Sequence, residues 1–578
     1  MVTPQMTPVT TECSECDDCY GVCPDDSTIK KQMEQMETWT DKGYWGTRTL
    51  GDIFDQTVQK HPNNVAIVQG GKQITYGEMG IMVNRLAFGL LELGIGKHDY
   101  VIVELPNCFE CAYVQYALAK IGAVHVPIVH TYRQAEIDYV VQLFRAKAII
   151  VPDTFGKFSY TDMVHNILPK HPYLQHAIVV GENAPSGMIP FGDLIRERAD
   201  DRQLSEYLLP KRPAGADILR AQLSAGTTGR PKAALHSHDK TICSLEWDAV
   251  RHQWGDVLLL FFPFGHATGF LVSLDLQTLL GRKIVLFEGK MNIEEVLKVV
   301  EKEGVTAMYL PVPTMSTLAA QLKERPELVQ QYRIDSLQNV VFGGTPAPAE
   351  LIETIRESLN VSVLQVYGMA EGIVTSPDLQ DPPEVQAFSV GRVGCPDADL
   401  RVVDDDNRVL PIGAVGELIY KGPFIFSGYY RDRQLNKQAF DEGGYVHSGD
   451  LVKMDEKGNI WIVGRKKDII RRGGEGISPA EIEDLLSGHP KIADVSIVAM
   501  PDKRMGEKVC AYVVPKAGQT ITFDEIITFL KNTNIATFKL PERVENVDIL
   551  PRSASKGNVL KGLLREDISN KLKAEGKV

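Results

Sequence analysis

The chain has 578 residues, 44% hydrophobic and 24% charged, with a formal net charge of −13. That length exceeds one ordinary core and predicts about two to four domains. The composition is that of a soluble globular protein, the acidity argues against a nucleic-acid-binding surface, and no apolar run is long enough to cross a membrane.

No basic-then-apolar leader opens the chain, so the expected location is the cytoplasm. Residues 1–40 read as a polar tail without apolar periodicity. In it Cys13, Cys16, Cys19 and Cys23, the last followed by Pro24, have the spacing C-x2-C-x2-C-x3-C-P of a [4Fe–4S] site. The chain has no second such run, and Glu12, Glu15, Asp17, Asp18, Asp25 and Asp26 crowd the motif with negative charge that disfavours a reduced cluster. An iron–sulfur cluster, a zinc ion and a disordered or redox-active thiol tail all stay open. The other five cysteines are scattered, as in reduced intracellular proteins. Among them Cys108 and Cys111 open a helix and read as packing.

From Tyr44 the texture becomes globular. Leu50, Ile53, Phe54 and Val58 predict a helix over 49–60, a short hairpin follows around Gly70-Gly71, and 76–93 is a second amphipathic helix. Apolar runs then alternate with helical segments: 101–105, 123–128, 148–151, 177–180, 257–262, 283–287, 307–310 and 339–342. Near-continuous apolar strands separated by helices predict parallel sheets covered on both faces. Beyond Pro396 short strands and turns take over, then a small α+β unit with strands at 495–500 and 508–514, helices at 478–486 and 523–534, and a basic tail. The expected architecture is therefore α/β. A large N-terminal domain of two stacked, mostly parallel sheets plus a small β subdomain (41–466) precedes a mobile α+β domain (467–578), with the boundary near 466–468.

Seven short stretches carry chemistry. Leu223 to His238 packs Gly226, Thr227, Thr228, Gly229 and Lys232 into seven residues, a set of flexible backbone donors, hydroxyls and charge suited to phosphate. It lacks the Gly-Lys-Ser/Thr ending of a Walker A loop. Gly265-His266-Ala267-Thr268-Gly269 follows the strongest apolar strand and offers a pocket histidine. Phe342-Gly343-Gly344-Thr345-Pro346 bares backbone beside which a flat ring could lie. Tyr367-Gly368-Met369-Ala370-Glu371-Gly372 places an aromatic and a carboxylate at a strand end, suited to stacking and to Mg²⁺. His447-Ser448-Gly449-Asp450 reads as a tight turn whose carboxylate could accept two ribose hydroxyls. Gly464-Arg465-Lys466-Lys467-Asp468 and Arg471-Arg472-Gly473-Gly474-Glu475-Gly476 add charge and backbone freedom. Each alone is as readily a plain loop.

Together and in this order, the stretches resemble the adenylate-forming superfamily of acyl- and aryl-CoA synthetases, over about Tyr44 to Glu566. The texture is most similar to the branch that adenylates aromatic acids such as 2,3-dihydroxybenzoate, where Met-Ala-Glu-Gly stands as it does at 369–372. The resemblance implies a ligase of two half-reactions. A carboxylate attacks the α-phosphate of ATP, giving an acyl-adenylate, and a thiol, usually of coenzyme A, then takes the acyl group. It also implies roles. Thr227, Thr228, Gly229 and Lys232 hold pyrophosphate; His266 lies between acyl pocket and phosphate; Gly343, Gly344 and Thr345 flank adenine, with Tyr367 to Ala370 beside it. Glu371 binds Mg²⁺, Asp450 and Arg465 hold ribose, Lys467 is the hinge, and Gly473 and Gly474 line the pantetheine path. The implied partners are ATP, CoA and a small carboxylic acid, with no nucleic acid or membrane span, in a monomer or homodimer.

Two departures stand out. The family's Pro-x-x-x-x-Gly-Lys is here Pro551-Arg552-Ser553-Ala554-Ser555-Lys556-Gly557-Asn558. Gly557 or Asn558 occupies the lysine position according to register, and Lys556 is the expected substitute. Ala267 stands where the dihydroxybenzoate branch has an Asn that reads a ring hydroxyl. A buried hydroxyl without a partner is costly, so the expected acid is hydrophobic: aromatic, alicyclic or medium-chain. Trp247, Phe264, Phe270 and a loop at 310–315 are candidate walls. The alternatives are acyl loading onto a carrier-protein phosphopantetheine and a non-catalytic acyl- or nucleotide-binding regulator.

Overall fold

A computed structural model describes residues 37–197, 201–224, 232–251, 254–344, 347–472, 475–502, 505–533, 535–552 and 557–577. Local chemistry starts the helices where periodicity predicts them. Thr49 and Asp52 form a capping box for Leu50–Lys60, and Thr75 and Glu78 do the same for Tyr76–Glu92. Phe109–Ile121 ends at Gly122, whose φ of 72° only glycine adopts at little cost.

Two eight-stranded sheets dominate the N-terminal part. In sheet I the strands Val65–Gln69, Lys283–Leu286, Val257–Leu260, Ala307–Pro311, Asn339–Gly343 and Ser362–Gly368 run parallel, with an antiparallel strand at each edge. In sheet II a parallel set that includes Tyr100–Val103 and Val124–Pro127 continues to Ile218–Ser224, which pairs antiparallel with Lys232–Ser237. One apolar core joins the inner faces of both sheets. It contains Val101 and Val103 from sheet II, Leu258 and Leu260 from sheet I, and Leu86 and Leu118 from helices between them. Separate helical layers cover the outer faces, with Leu297, Leu318 and Ile355 over sheet I and Ile137, Val141 and Val164 over sheet II. Burial on both faces is why these strands read as unbroken apolar runs.

A four-stranded antiparallel sheet, III, follows, and sheet IV of five strands builds the smaller C-terminal domain. The closing basic tail is a correction: Lys561–Ala574 is a helix whose Leu564, Ile568 and Leu572 are buried. That four-residue spacing puts all three on one face, which packs against Val498, Cys510 and Tyr512 of sheet IV.

The inter-sheet core also holds an ion pair. Arg220 of sheet II meets Asp275 at 2.7 Å, with side-chain exposures of 5% and 0%. Gln115 donates to both Asp275 oxygens at 3.2 Å, and Tyr116 hydrogen-bonds Thr278 at 2.8 Å beside it. Burial pushes the Asp275 carboxyl up, and the Arg220 charge opposes this. Asp275→Ala leaves a guanidinium without its counter-ion in a dry core, and the expected loss is about 3–5 kcal/mol in urea unfolding.

Candidate functional site

The C-terminal ends of the sheet I strands carry most of the predicted side chains. Strand Ser362–Gly368 delivers Tyr367, then reverses through a tight turn to Val374–Thr375. The turn is closed by Met369 N–H to Ile373 O at 3.0 Å and Gly372 N–H to Met369 O at 3.1 Å. Gly372 has φ 108°, and a Cβ there would lie 2.5 Å from Phe424 O. The turn is thus pressed onto the backbone of 424–426, where Phe426 N–H donates to Glu371 O at 3.1 Å.

This contact sets the place of the Glu371 carboxylate. The Tyr429 hydroxyl donates to its Oε1, and Lys232 Nζ stands 5.4 Å from the centre of the Tyr429 ring. His236, four residues beyond Lys232, reaches Ala370 O at 2.7 Å. A carbonyl only accepts, so that ring nitrogen carries a proton. Burial pushes the His236 imidazole down to about 4, the Ala370 bond opposing, and the ring stays neutral at pH 7. The first strand after the predicted phosphate loop and the carboxylate turn are therefore one unit. Neither His236, which lies within the stretch Leu223 to His238, nor Tyr429 was singled out from the sequence; each lies in sheet II and bonds the turn that carries Glu371.

Asp450 departs from the expected geometry. The segment His447 to Asp450 is not a tight turn but lies inside the strand Val446–Met454. Partners step from Ile419↔His447 to Glu417↔Leu451, so the strand bulges between them. Gly449 supplies φ 69° there, and the Ser448 hydroxyl donates to Leu418 O at 2.7 Å. The bulge aims a carboxylate that is 3% exposed at two donors. The Tyr367 hydroxyl donates at 2.7 Å and Arg465 Nε pairs at 2.6 Å. Burial pushes Asp450 up, opposed by the Arg465 charge and the Tyr367 bond. The same bulge turns Gly449 N–H to Glu417, 3.1 Å away, and Glu417 also takes Lys466 at 2.8 Å and His447 at 3.3 Å. Burial alone would raise Glu417, but these partners hold it at about 2.

His266 caps a one-turn helix in the segment leaving strand Val257–Leu260. Its N–H bonds Pro263 O at 3.1 Å, and its carbonyl accepts from Gly269 at 2.9 Å. Phe264 and Phe270 stack at 5.5 Å in the inter-sheet core. Trp247 stands 6.2 Å from the Tyr44 ring and packs against the core of sheet III. The expected 310–315 loop is a strand end followed directly by helix Val312–Glu324, because Pro313 suits the first helical turn. Gly343 ends its strand 2.7 Å, at a virtual Cβ, from Val366 O, whereas Gly344 faces open space.

Toward the C-terminal domain, Lys467 shares its surroundings with Arg465, Arg565 and Lys232; partial desolvation first, then these like charges, lower its ammonium pKa. Asp468 answers Arg565 at 2.6 Å. Gly557 has φ 69° and lies against Pro313, 3.5 Å from a virtual Cβ. Next to it Asn558 buries Oδ1 without a hydrogen-bond partner among the described residues. Thr227, Thr228, Gly229, Thr345, Gly473, Gly474, Lys556 and the four tail cysteines lie outside the described residues.

One pH dependence follows from the Glu417 cluster. Its hydrogen bond and charge raise His447, and burial opposes this. A raised histidine stabilises below its unfolded value and loses that contribution as pH rises through the folded one. Glu417→Gln should therefore cost more stability at about pH 6 than at about pH 9, read as the wild-type-to-variant gap in urea midpoints.

The chain is similar to known proteins over most of its length. The AMP-binding enzyme family model matches residues 54–430, and the AMP-binding enzyme C-terminal domain matches 481–556. The chain is 32% identical over 550 residues to the medium-chain fatty-acid–CoA ligase of Escherichia coli (strain K12), covering 94% of this chain and 95% of that protein. It is 33% identical over 545 residues to the 2,3-dihydroxybenzoate-AMP ligase of Bacillus subtilis (strain 168), covering 94% and 97%. Among solved structures, ATP-bound MatB from Rhodopseudomonas palustris superposes with a TM-score of 0.78 at 26% identity, over 91% of this chain and 100% of that one. No helix among the described residues is long and apolar enough to cross a membrane. The chain belongs to the AMP-binding enzyme family of adenylate-forming ligases.

Proposed function

We propose that this adenylate-forming ligase is an AMP-forming carboxylic acid–CoA ligase acting on a hydrophobic acid, aromatic, alicyclic or medium-chain. The observation that carries the reading is the convergence of Glu371, Lys232, Tyr367, Asp450 and Arg465 through the contacts above. It brings a carboxylate, a phosphate-range ammonium, an aromatic face and a ribose-range carboxylate to one end of sheet I. Ligands of open α/β sheets gather at that end.

In the first half-reaction the acid's carboxylate oxygen attacks the α-phosphorus of ATP and pyrophosphate leaves. In-line displacement at phosphorus needs charge neutralisation and alignment more than covalent help. Lys232, with Thr227, Thr228 and Gly229, would hold the departing pyrophosphate. Asp450 and Arg465 would fix the ribose, while Gly343, Gly344 and Thr345 flank adenine beside Tyr367, Gly368, Met369 and Ala370. Glu371 is a hard oxygen donor held by Tyr429 through one oxygen, a donor set that suits Mg²⁺; the ion, when bound, neutralises phosphate charge. His266 would close the acyl side, with Ala267 offering a methyl rather than a hydrogen bond.

In the second half-reaction a CoA thiol takes the acyl group and AMP leaves. Lys467 would be the hinge on which residues 467–578 rotate relative to 41–466, exposing Gly473 and Gly474 to pantetheine. One site serving two reactions requires such a motion on a few backbone torsions. Lys556 would supply the charge that the family draws from the Gly-Lys position. It directly precedes Gly557, which lies against Pro313 at the end of sheet I.

A screen of carboxylic acids with ATP, with and without CoA, tests the reading. The expected result is AMP release that requires both a hydrophobic acid and CoA. Acyl-adenylate formed without CoA consumption turns the reading to carrier-protein loading, and no adenylate with any acid turns it to the regulator. Lys556→Ala should lower acid-dependent ATP–pyrophosphate exchange at least about tenfold; unchanged exchange removes Lys556 from the mechanism.

A further inference from the structure

The turn that carries His266 belongs to sheet I, yet the side chain that holds it comes from sheet II. Asn107 lies between strand Tyr100–Val103 and helix Phe109–Ile121. Its Nδ2 donates to Phe262 O at 2.9 Å, and its Oδ1 accepts from Phe264 N–H at 2.7 Å. These two backbone groups flank Pro263, which has no N–H of its own and whose carbonyl accepts from His266 at 3.1 Å. One carboxamide thus satisfies the donor and the acceptor on either side of the residue from which the histidine turn hangs.

The fit around this clamp is close. A Cβ on Gly265 would lie 2.5 Å from Ile128 O, so the turn is seated directly on the strand exit of sheet II. Phe109 N–H reaches Gln69 Oε1 of sheet I at 3.2 Å, a second tie across the same gap. Strand Val257–Leu260 has ended at this point, and the short helix that His266 caps runs on into Phe270–Asp275 and Leu276–Leu279, with Phe264 and Phe270 buried on either side of the turn.

We infer that Asn107 is a positioning residue for the acyl half of the site, setting where His266 stands by clamping residues 262–264. The inference rests on the proposed role of His266 at the acyl pocket. A side chain bound to two backbone groups fixes a turn in both translation and tilt, and misplacing a reacting group by about 1 Å can cost a hundredfold in rate. Asn107 touches neither acid nor nucleotide in this reading, so its effect must pass through the turn.

Two variants separate this from a merely structural role. Asn107→Leu removes both bonds; Asn107→Asp keeps the shape and the acceptor but turns a donor into a repulsive oxygen at Phe262 O. At a temperature where all proteins are folded, acid-dependent exchange should show the KM for acid rising or kcat falling about tenfold, with the KM for ATP unchanged. In a His266→Ala background the same substitution should add little, because coupled residues are non-additive. Acid and ATP parameters that move together, or a full additive loss, would overturn the inference. Hydrogen exchange of the 261–271 segment decides the clamp independently of turnover. Either variant should speed exchange there by about tenfold or more and leave strand Ala307–Pro311 protected. Unchanged protection overturns the clamp even if the enzyme is active, whereas faster exchange in a wild type that adenylates no acid defeats the functional reading alone. If Asn107→Leu fails to fold, Asn107→Asp carries both measurements.

Discussion

The site is organised around one buried carboxylate. Asp450 is almost wholly withdrawn from water, and a carboxylate there persists only with close, oriented donors. Tyr367 provides one from the end of sheet I, and Arg465 provides the other from the directly opposed strand of sheet III. Arg465 is also the last residue of its strand before the 466–468 turn. The interaction therefore ties the C-terminal end of strand Ser362–Gly368 in sheet I, the small antiparallel sheet and the approach to the C-terminal domain to a common point. The bulge at Gly449 adjoins it, shifting the pairing with Gly416–Lys421 and turning Gly449 N–H to Glu417.

Backbone contact rather than side-chain bulk holds the surrounding parts. Gly372 lets the Glu371 turn touch residues 424–426, and Gly265 lets the His266 turn touch the exit of strand Val124–Pro127. In each case a neighbouring polar side chain completes the placement: Tyr429 and His236 for Glu371, Asn107 for His266. In the proposed function, the groups that would meet substrate are thereby aimed by residues that touch only protein. Such preorganisation removes the reorganisation cost at the moment of reaction.

Most parallel strands of the large sheets were legible because burial on both faces leaves a continuous apolar run, whereas Ile218–Ser224 and Lys232–Ser237 of sheet II, flanking the Gly/Thr-rich loop, were not read as strands. The helix expected to open at Cys108 and Cys111 is Phe109–Ile121, with Cys108 at its N-cap and Gly122 closing it. Failure came where a local pattern has two solutions. His447 to Asp450 carries the glycine and serine of a turn, and the same residues build a bulge once strand Gly416–Lys421 lies alongside. The C-terminal segment is basic overall, which hid the apolar face of Leu564, Ile568 and Leu572. Trp247 and Phe264 are alike in chemistry but pack in different cores.

By itself the sequence determined the class of fold and the chemical inventory of the stretches: which strand ends carry glycines, where the carboxylates and lysines fall, and that no Gly-Lys stands in the motif after Pro551. Spacing along a chain encodes these because periodicity and turn residues act over a few positions. Only the tertiary structure decided which residues face one another. His236 meets the Glu371 turn across 134 positions, and Asn107 meets the His266 turn across 155 and 157. Hydrogen bonds are decided by distances of a few ångströms in space, and residues so far apart in sequence are brought within that range only by the packing of two sheets against one another.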